Sequence, residues 1–151
     1  MSQSLSQIYV HIVFSTKHRK SYLSNKELRD RLYLYINKIC QNHQCHLLVA
    51  GGVSDHIHLL LSLNKKMAVS KLVEKIKTST SKWIKSISIS LEYFCWQNGY
   101  GAFSVSQSNI DAVIKYINNQ EHHHKTLSFK DELEKLLMAY KIKFDEKYLW
   151  S

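Results

Sequence analysis

Two histidines one residue apart, His56-Ile57-His58, set in Asp55-His-Ile-His-Leu-Leu-Leu-Ser-Leu63, are the side chains in this sequence best suited to metal chemistry. A strand sends alternate residues to opposite sides, so His56, His58, Leu60 and Ser62 share one face while Ile57, Leu59, Leu61 and Leu63 take the other. The aliphatic face belongs in a core. On the opposite face two adjacent imidazoles can hold a divalent ion and leave its remaining positions open. An isolated pair of this spacing can equally be two surface histidines on an edge strand, so the reading needs a second half. Alternation points Asp55 away from the histidines and makes it a turn residue.

The second half is a nucleophile that can be brought to the pair. Tyr116-Ile-Asn-Asn-Gln120 places a phenol and an amide four residues apart, stacked on one helix face at the shoulder of its apolar stripe. Gln120 offers a carbonyl oxygen to a hard cation and completes a His56, His58, Gln120 set with open positions for a substrate phosphate. That set contains no carboxylate, so Mg²⁺ is expected to bind weakly without DNA, and Mn²⁺ better through the imidazoles. The run His122-His123-His124-Lys125 reads first as an exposed cluster favoured by the helix C-terminal dipole, with contact to phosphate or DNA as the alternative. Cys40, Cys45 and Cys95, with His43 and His46 interleaved, match no common zinc finger and read as reduced packing thiols.

These residues must be positioned by the elements around them. Ile8, Val10, Ile12 and Phe14 alternate in a first strand whose other face carries Tyr9 and His11. Ser24-Asn-Lys-Glu27 has the form of a capping box, and Leu28, Leu32, Tyr35, Ile36 and Ile39 follow at helical spacing to about residue 42. A strand over about Cys45 to Gly51 and the histidine strand over about 56 to 63 form a hairpin across Gly51-Gly52-Val-Ser-Asp55. Val69, Leu72, Val73, Ile76, Trp83, Ile84 and Ile87 mark a long helix, and Tyr100 to Ser106 a fourth strand. Ser108 caps the helix that carries Tyr116, and a last helix runs from about Phe129 to Ile142. The order is β-α-β-β-α-β followed by two helices, the α+β split-βαβ pattern of ferredoxin-like and RNA-recognition sheets. In it helices cover one sheet face, leaving His11, His56 and His58 clustered on an open one, with His11 as a possible auxiliary.

At 151 residues the chain is long enough for one domain, 1–151, with a core of its own. A formal net charge of +9 and a pI near 9.4 point to a polyanion, nucleic acid first. Candidate phosphate contacts are Lys17, Arg19 and Lys20 in one turn, and Lys71, Lys75, Lys82 and Lys85, with Lys77, on the long helix against a single Glu74. No apolar run is long enough to span a membrane and no signal peptide opens the chain, so a cytoplasmic protein is expected. No G-x-x-x-x-G-K-[ST] run is present, and no nucleotide cofactor is expected.

Asp55-His-Ile-His-Leu-Leu60 is a histidine-hydrophobe-histidine (HUH) motif. Together with Tyr116-Ile-Asn-Asn-Gln120 and His11-Ile-Val-Phe-Ser-Thr-Lys17, it makes the chain, over roughly residues 7 to 125, resemble the small single-tyrosine transposases of single-strand insertion sequences, the "IS-two-hundred" type. The resemblance implies cleavage of single-stranded DNA by Tyr116 with Mg²⁺ or Mn²⁺, a 5′-phosphotyrosine linkage, and a free 3′-OH that can reverse the reaction at another end. It further implies hairpin-forming element ends as substrate and a homodimer whose sites assemble in cis or in trans. Two other classes stand beside it. One is an HUH nickase of the replication-initiator or relaxase type. The other is a non-catalytic single-strand-binding module stacking bases on Tyr9 and Tyr100, although the glycine-aromatic signature of such sheets is absent.

Overall fold

Apolar alternation pairs β1 (Tyr9–Ser15) with β3 (His56–Ser62) antiparallel at the sheet centre, Val13 opposite His58 and Ser15 opposite His56. The computed structural model describes residues 3–146. Val53, Ser54 and Asp55 turn the chain so that β2 (His46–Gly52) folds back along β3, and β4 (Gly101–Val105) pairs with β1, giving the antiparallel order β2-β3-β1-β4. The fold is the expected mixed α/β arrangement with the first and third strands in the middle.

Helices α1 (Lys26–Asn42) and α2 (Val69–Ile87) cover one face of this sheet. Ile12, Phe14, Ile57, Leu59 and Leu61 there meet Leu32, Ile36, Leu72 and Ile76 in a closed core. Each such side chain stabilises the fold by about 1.5–3 kcal/mol through burial. The cap of α1 is Asn25, whose side chain accepts from Leu28 N at 3.2 Å, so the start lies one residue past the expected Ser24. Asn caps as well as Ser, and the two adjacent candidates differ only in where the chain turns.

The second face is covered too, against expectation. Ile110 and Ile117 of α3 (Ile110–Asn118) pack on Leu60 and Val105, and Phe129, Leu133 and Leu137 of α5 (Phe129–Ala139) pack on Val13 and Phe103. The apolar stripes of both helices need a partner, and the histidine-bearing face supplies one. His11, His56 and His58 are consequently 3%, 0% and 0% exposed, and they belong to the interior rather than to an open surface. Their replacement therefore affects packing, which an open face would not.

The helix expected to carry both Tyr116 and Gln120 is broken at Asn119 (φ −98°, ψ 19°), and Gln120 opens the single turn α4 (Gln120–His123). At the other end of α3 a 3₁₀ turn over Gln107–Asn109 replaces the expected Ser108 cap, and Asn109 precedes the helix without a side-chain cap bond. Backbone contact fixes α3 over the sheet: a Cβ on Gly51 would stand 2.4 Å from the carbonyl oxygen of Ile117. Gly51→Ala is thus expected to displace the turn that bears Tyr116 and to destabilise the fold by about 1–3 kcal/mol. Chemical denaturation reads this; an unchanged midpoint would contradict the close approach. Among the described residues no helix is long and apolar enough to cross a membrane.

Candidate active site

Five segments converge on one buried point. Strand β3 brings His56 and His58, β1 brings His11, α3 brings Tyr116, α4 and the turn after it bring Gln120 and His124, and α5 brings Glu132. The carboxylate of Glu132, 1% exposed, is their common partner. Its Oε1 lies 2.8 Å from His58 Nε2, 3.2 Å from His56 Nε2 and 3.1 Å from His124 Nε2. Its Oε2 accepts from the Tyr116 hydroxyl in a short hydrogen bond and from Gln120 Nε2 at 3.2 Å. One side chain so joins the histidine pair to the phenol.

Outer contacts orient the rings. His56 Nδ1 lies 2.7 Å from Asp55 Oδ1, His58 Nδ1 lies 2.8 Å from His11 Nε2, and His124 Nδ1 donates to the carbonyl oxygen of Leu127. Asp55 is therefore more than a turn residue. It precedes the first residue of β3, so strand alternation does not govern its direction.

Electrostatics follow from burial and these contacts. Burial and the Glu132 carboxylate hold the Tyr116 phenol above the ordinary tyrosine range. Burial alone would raise Glu132, but hydrogen bonds from His124, His56 and His58 hold it well below the usual carboxylate range. For His56, burial acts downward and is outweighed by Asp55 and Glu132, which raise it. Burial, with His58 beside it, lowers His11 to about 3, so that ring stays neutral.

The donor set fits a metal ion. One ligand atom each from His56, His58, His124 and Glu132 lies within 4.8 Å of every other, and imidazole nitrogen with carboxylate oxygen suits a divalent first-row ion. Sequence reasoning missed two of these four. His124 sits in the tract read as an exposed helix end; His122 is exposed as expected, but α4 is one turn long and the chain behind it folds His124 inward, 8% exposed. Glu132 did leave a signal: with Phe129, Leu133 and Leu137 it occupies an inward position of the α5 stripe, where a carboxylate is out of place. The expected Gln120 oxygen lies 3.1 Å from His124 Nε2, beside the four donors.

The basic residues divide. Lys17, Arg19 and Lys20 are exposed on the turn after β1, which is anchored by Lys17 N to Cys95 O at 2.8 Å and Gln97 N to Ser15 O at 2.9 Å. Arg19 lines a cleft of about 470 Å³ with Asp55, His124, Phe129 and Lys130. Lys71, Lys75, Lys82 and Lys85 are exposed on α2, and α2 packs on the sheet face opposite the histidines. Lys77 turns inward instead, its Nζ donating to the carbonyls of Gln97 at 2.7 Å and Gly99 at 2.6 Å. It clamps the loop ahead of β4.

The chain is similar to known proteins over most of its length. The sequence model of the family "Transposase IS200 like" matches residues 4–120. A transposase for insertion sequence element IS200 from Salmonella typhimurium, and one of the same description from Salmonella typhi, are 29% identical over 115 residues, 73% of this chain and 74% of theirs. A candidate transposase from Deinococcus radiodurans R1 superposes with a TM-score of 0.61 at 21% identity, covering 80% of this chain and 98% of that one. A REP-associated tyrosine transposase bound to a REP hairpin also superposes at 0.61, with 15% identity over 84% of this chain and 76% of that one. The two structures share the fold. With the matched segment spanning the histidine pair and the tyrosine helix, this chain belongs to the IS200-like transposase family.

Proposed function

We propose that the protein cuts and rejoins single-stranded DNA through a 5′-phosphotyrosine linkage on Tyr116, with Mg²⁺ or Mn²⁺ held at His56 and His58. The supporting observation is that the Tyr116 hydroxyl rests on the carboxylate that faces both histidines. At neutral pH the phenol is protonated, so attack requires a proton acceptor. Glu132 Oε2 already accepts that proton in a hydrogen bond. As the Oη–P bond forms, the proton passes to Glu132 and the P–O3′ bond breaks. The 3′ oxygen leaves with a proton from solvent, and Glu132 returns its own to solvent. His56 and His58 would hold the divalent ion, which when bound would polarise the scissile phosphate and offset charge on its oxygens. Phosphodiester energy stays in the tyrosine linkage, so rejoining at a second end needs no nucleotide cofactor.

The substrate in this reading is a hairpin-forming element end, and the working unit is a cytoplasmic homodimer. In each subunit Tyr116 serves the histidines of its own chain, because its hydroxyl and their Nε2 atoms meet the same Glu132. Oligonucleotides from the flanks of the protein's own gene are expected to be cut as single strands with Mg²⁺ or Mn²⁺. Full cleavage in excess chelator would remove the metal from the proposal, and cleavage of duplex alone would remove the substrate class.

Lys17, Arg19 and Lys20 are the phosphate contacts nearest the site, and the α2 lysines extend the path only if DNA wraps round the sheet. Four to six contacts in all give a fall in log affinity of about three to four per tenfold rise in salt, at about 0.7 per contact. Replacing Lys17, Arg19 and Lys20 with Gln is expected to flatten that slope by about 2. If only the α2 replacements flattened it, the strand would run on the opposite face.

A further inference from the structure

Beside the buried cluster lies a cavity of about 190 Å³ that the proposed chemistry does not use. It sits between α5 and the chain entering β4. Val13, Leu133 and Leu137 give it an apolar wall, and Ser15, Asn98 and Tyr100 bring polar groups and an aromatic ring to it. Pockets for drug-sized ligands start at about 300 Å³, so this one suits a single ring system.

Ser15 ties the cavity to the active site. Strand alternation puts it on the face of Val13, toward α5, and it is 5% exposed. Among the described residues its hydroxyl has no hydrogen-bond partner. Buried hydroxyls are normally paired, and one left open on a cavity wall costs stability until something in the cavity meets it. In the ladder between β1 and β3 Ser15 stands directly opposite His56, a position where Cβ atoms lie about 4.5–5.5 Å apart. Phe129 joins the two from above: it lines the cavity, and its ring centroid lies 4.4 Å from that of His56. A group seated against Ser15 is therefore next to the histidine pair.

The opposite wall is held in place before any ligand arrives. Gln97 N donates to Ser15 O at 2.9 Å, Thr16 bridges to Trp96, and Lys77 Nζ holds the carbonyls of Gln97 and Gly99. Gly99, at φ 87°, turns the chain between Asn98 and Tyr100, both exposed. An amide presents a donor and an acceptor together, which is how Asn reads a base edge, and a tyrosine ring stacks on any base. A phosphate would gain little from the apolar wall. Its place is at Arg19, which lines both this cavity and the larger cleft containing Asp55 and His124.

We infer that the cavity receives one unpaired nucleobase of the DNA strand, adjoining the scissile phosphate, with Tyr100 stacking on it and Ser15 and Asn98 reading its edge. The inference rests on the proposed single-strand reaction and adds to it a specificity-determining site.

The test uses strands from the flanks of the protein's own gene, in a series where each nucleotide in turn is made abasic. Cleavage is measured with Mn²⁺, and affinity by filter binding in the Tyr116→Phe background. One abasic position, adjoining the cut phosphate, is expected to weaken binding by about 10–100-fold, and the others by less. Tyr100→Ala and Asn98→Ala are each expected to bind the intact strand about 10-fold more weakly and to lose most of the penalty at that one position. Ser15→Ala, which removes one oxygen, is expected to lower the preference among the four bases there. Tyr93→Ala, exposed on the loop after α2 and outside the cavity, keeps the full penalty. Circular dichroism checks each fold; should Ser15→Ala unfold, the two exposed variants decide. No position singled out, or the same abasic penalty in wild type, Tyr100→Ala and Asn98→Ala, would overturn the site. Strands cut with no position singled out would remove the base site and leave the reaction standing. Should no strand be cut, the reaction falls, and the affinity series still decides whether the cavity takes a base.

Discussion

Tyr116→Phe is expected to bind single-stranded DNA as the wild type does and to form no covalent adduct with it. The substitution removes one oxygen and keeps the ring, which packs edge-on to His58 with centroids 5.9 Å apart and lies beside His123 at 4.8 Å. Packing is therefore preserved while the bond-forming atom is lost. Release of Glu132 from its tyrosine hydrogen bond leaves that carboxylate with three imidazoles and the Gln120 amide, so the cluster itself holds. Denaturing electrophoresis after incubation with labelled oligonucleotide reads the adduct, and filter binding reads the affinity. A mixture of Tyr116→Phe subunits with His56→Ala/His58→Ala subunits is expected to recover no cleavage under the proposal that each tyrosine serves its own chain. Recovery would mean that the helix bearing Tyr116 crosses to the partner.

His58→Ala is expected to lower cleavage by at least about 10³-fold, equivalent to about 4 kcal/mol of transition-state stabilisation at 1.36 kcal/mol per tenfold. It is also expected to lower fold stability by about 2–4 kcal/mol, because the ring is fully buried and its loss opens a cavity and strips Glu132 of its nearest imidazole. The two effects separate by comparison with Leu60→Ala, two residues on and on the same face, fully buried against α3. That change is expected to cost about 2–5 kcal/mol of stability and to leave cleavage per folded molecule unchanged. Equal cleavage losses in both variants would make the histidine a packing residue.

Local periodicity carried much of this architecture. Ile57, Leu59 and Leu61 enter the core between the sheet and α1 and α2 because strand alternation is a property of neighbouring residues, and the long α2 stripe reads the same way. What sequence could not supply was the layer above the histidines. Whether α5 docks there depends on which sheet face remains free after α1 and α2 have packed, a long-range outcome with no local signature. Glu132 and His124 are hidden for that reason, the first in a stripe that otherwise reads as core and the second in a tract that otherwise reads as surface. Asp55 and Asn25 illustrate a smaller limit: both stand at element ends, where a shift of one residue changes a side chain's direction or role.

Peptide mapping by mass spectrometry of the wild-type protein after reaction with a single-stranded oligonucleotide and Mn²⁺ tests the central claim most directly. A phosphonucleotide carried on the peptide containing Tyr116, dependent on the metal ion and attached through the 5′ phosphate, is the expected result. A stable adduct on Tyr9, Tyr100 or any other residue, or cleavage with no protein-linked strand at any time point, would contradict it.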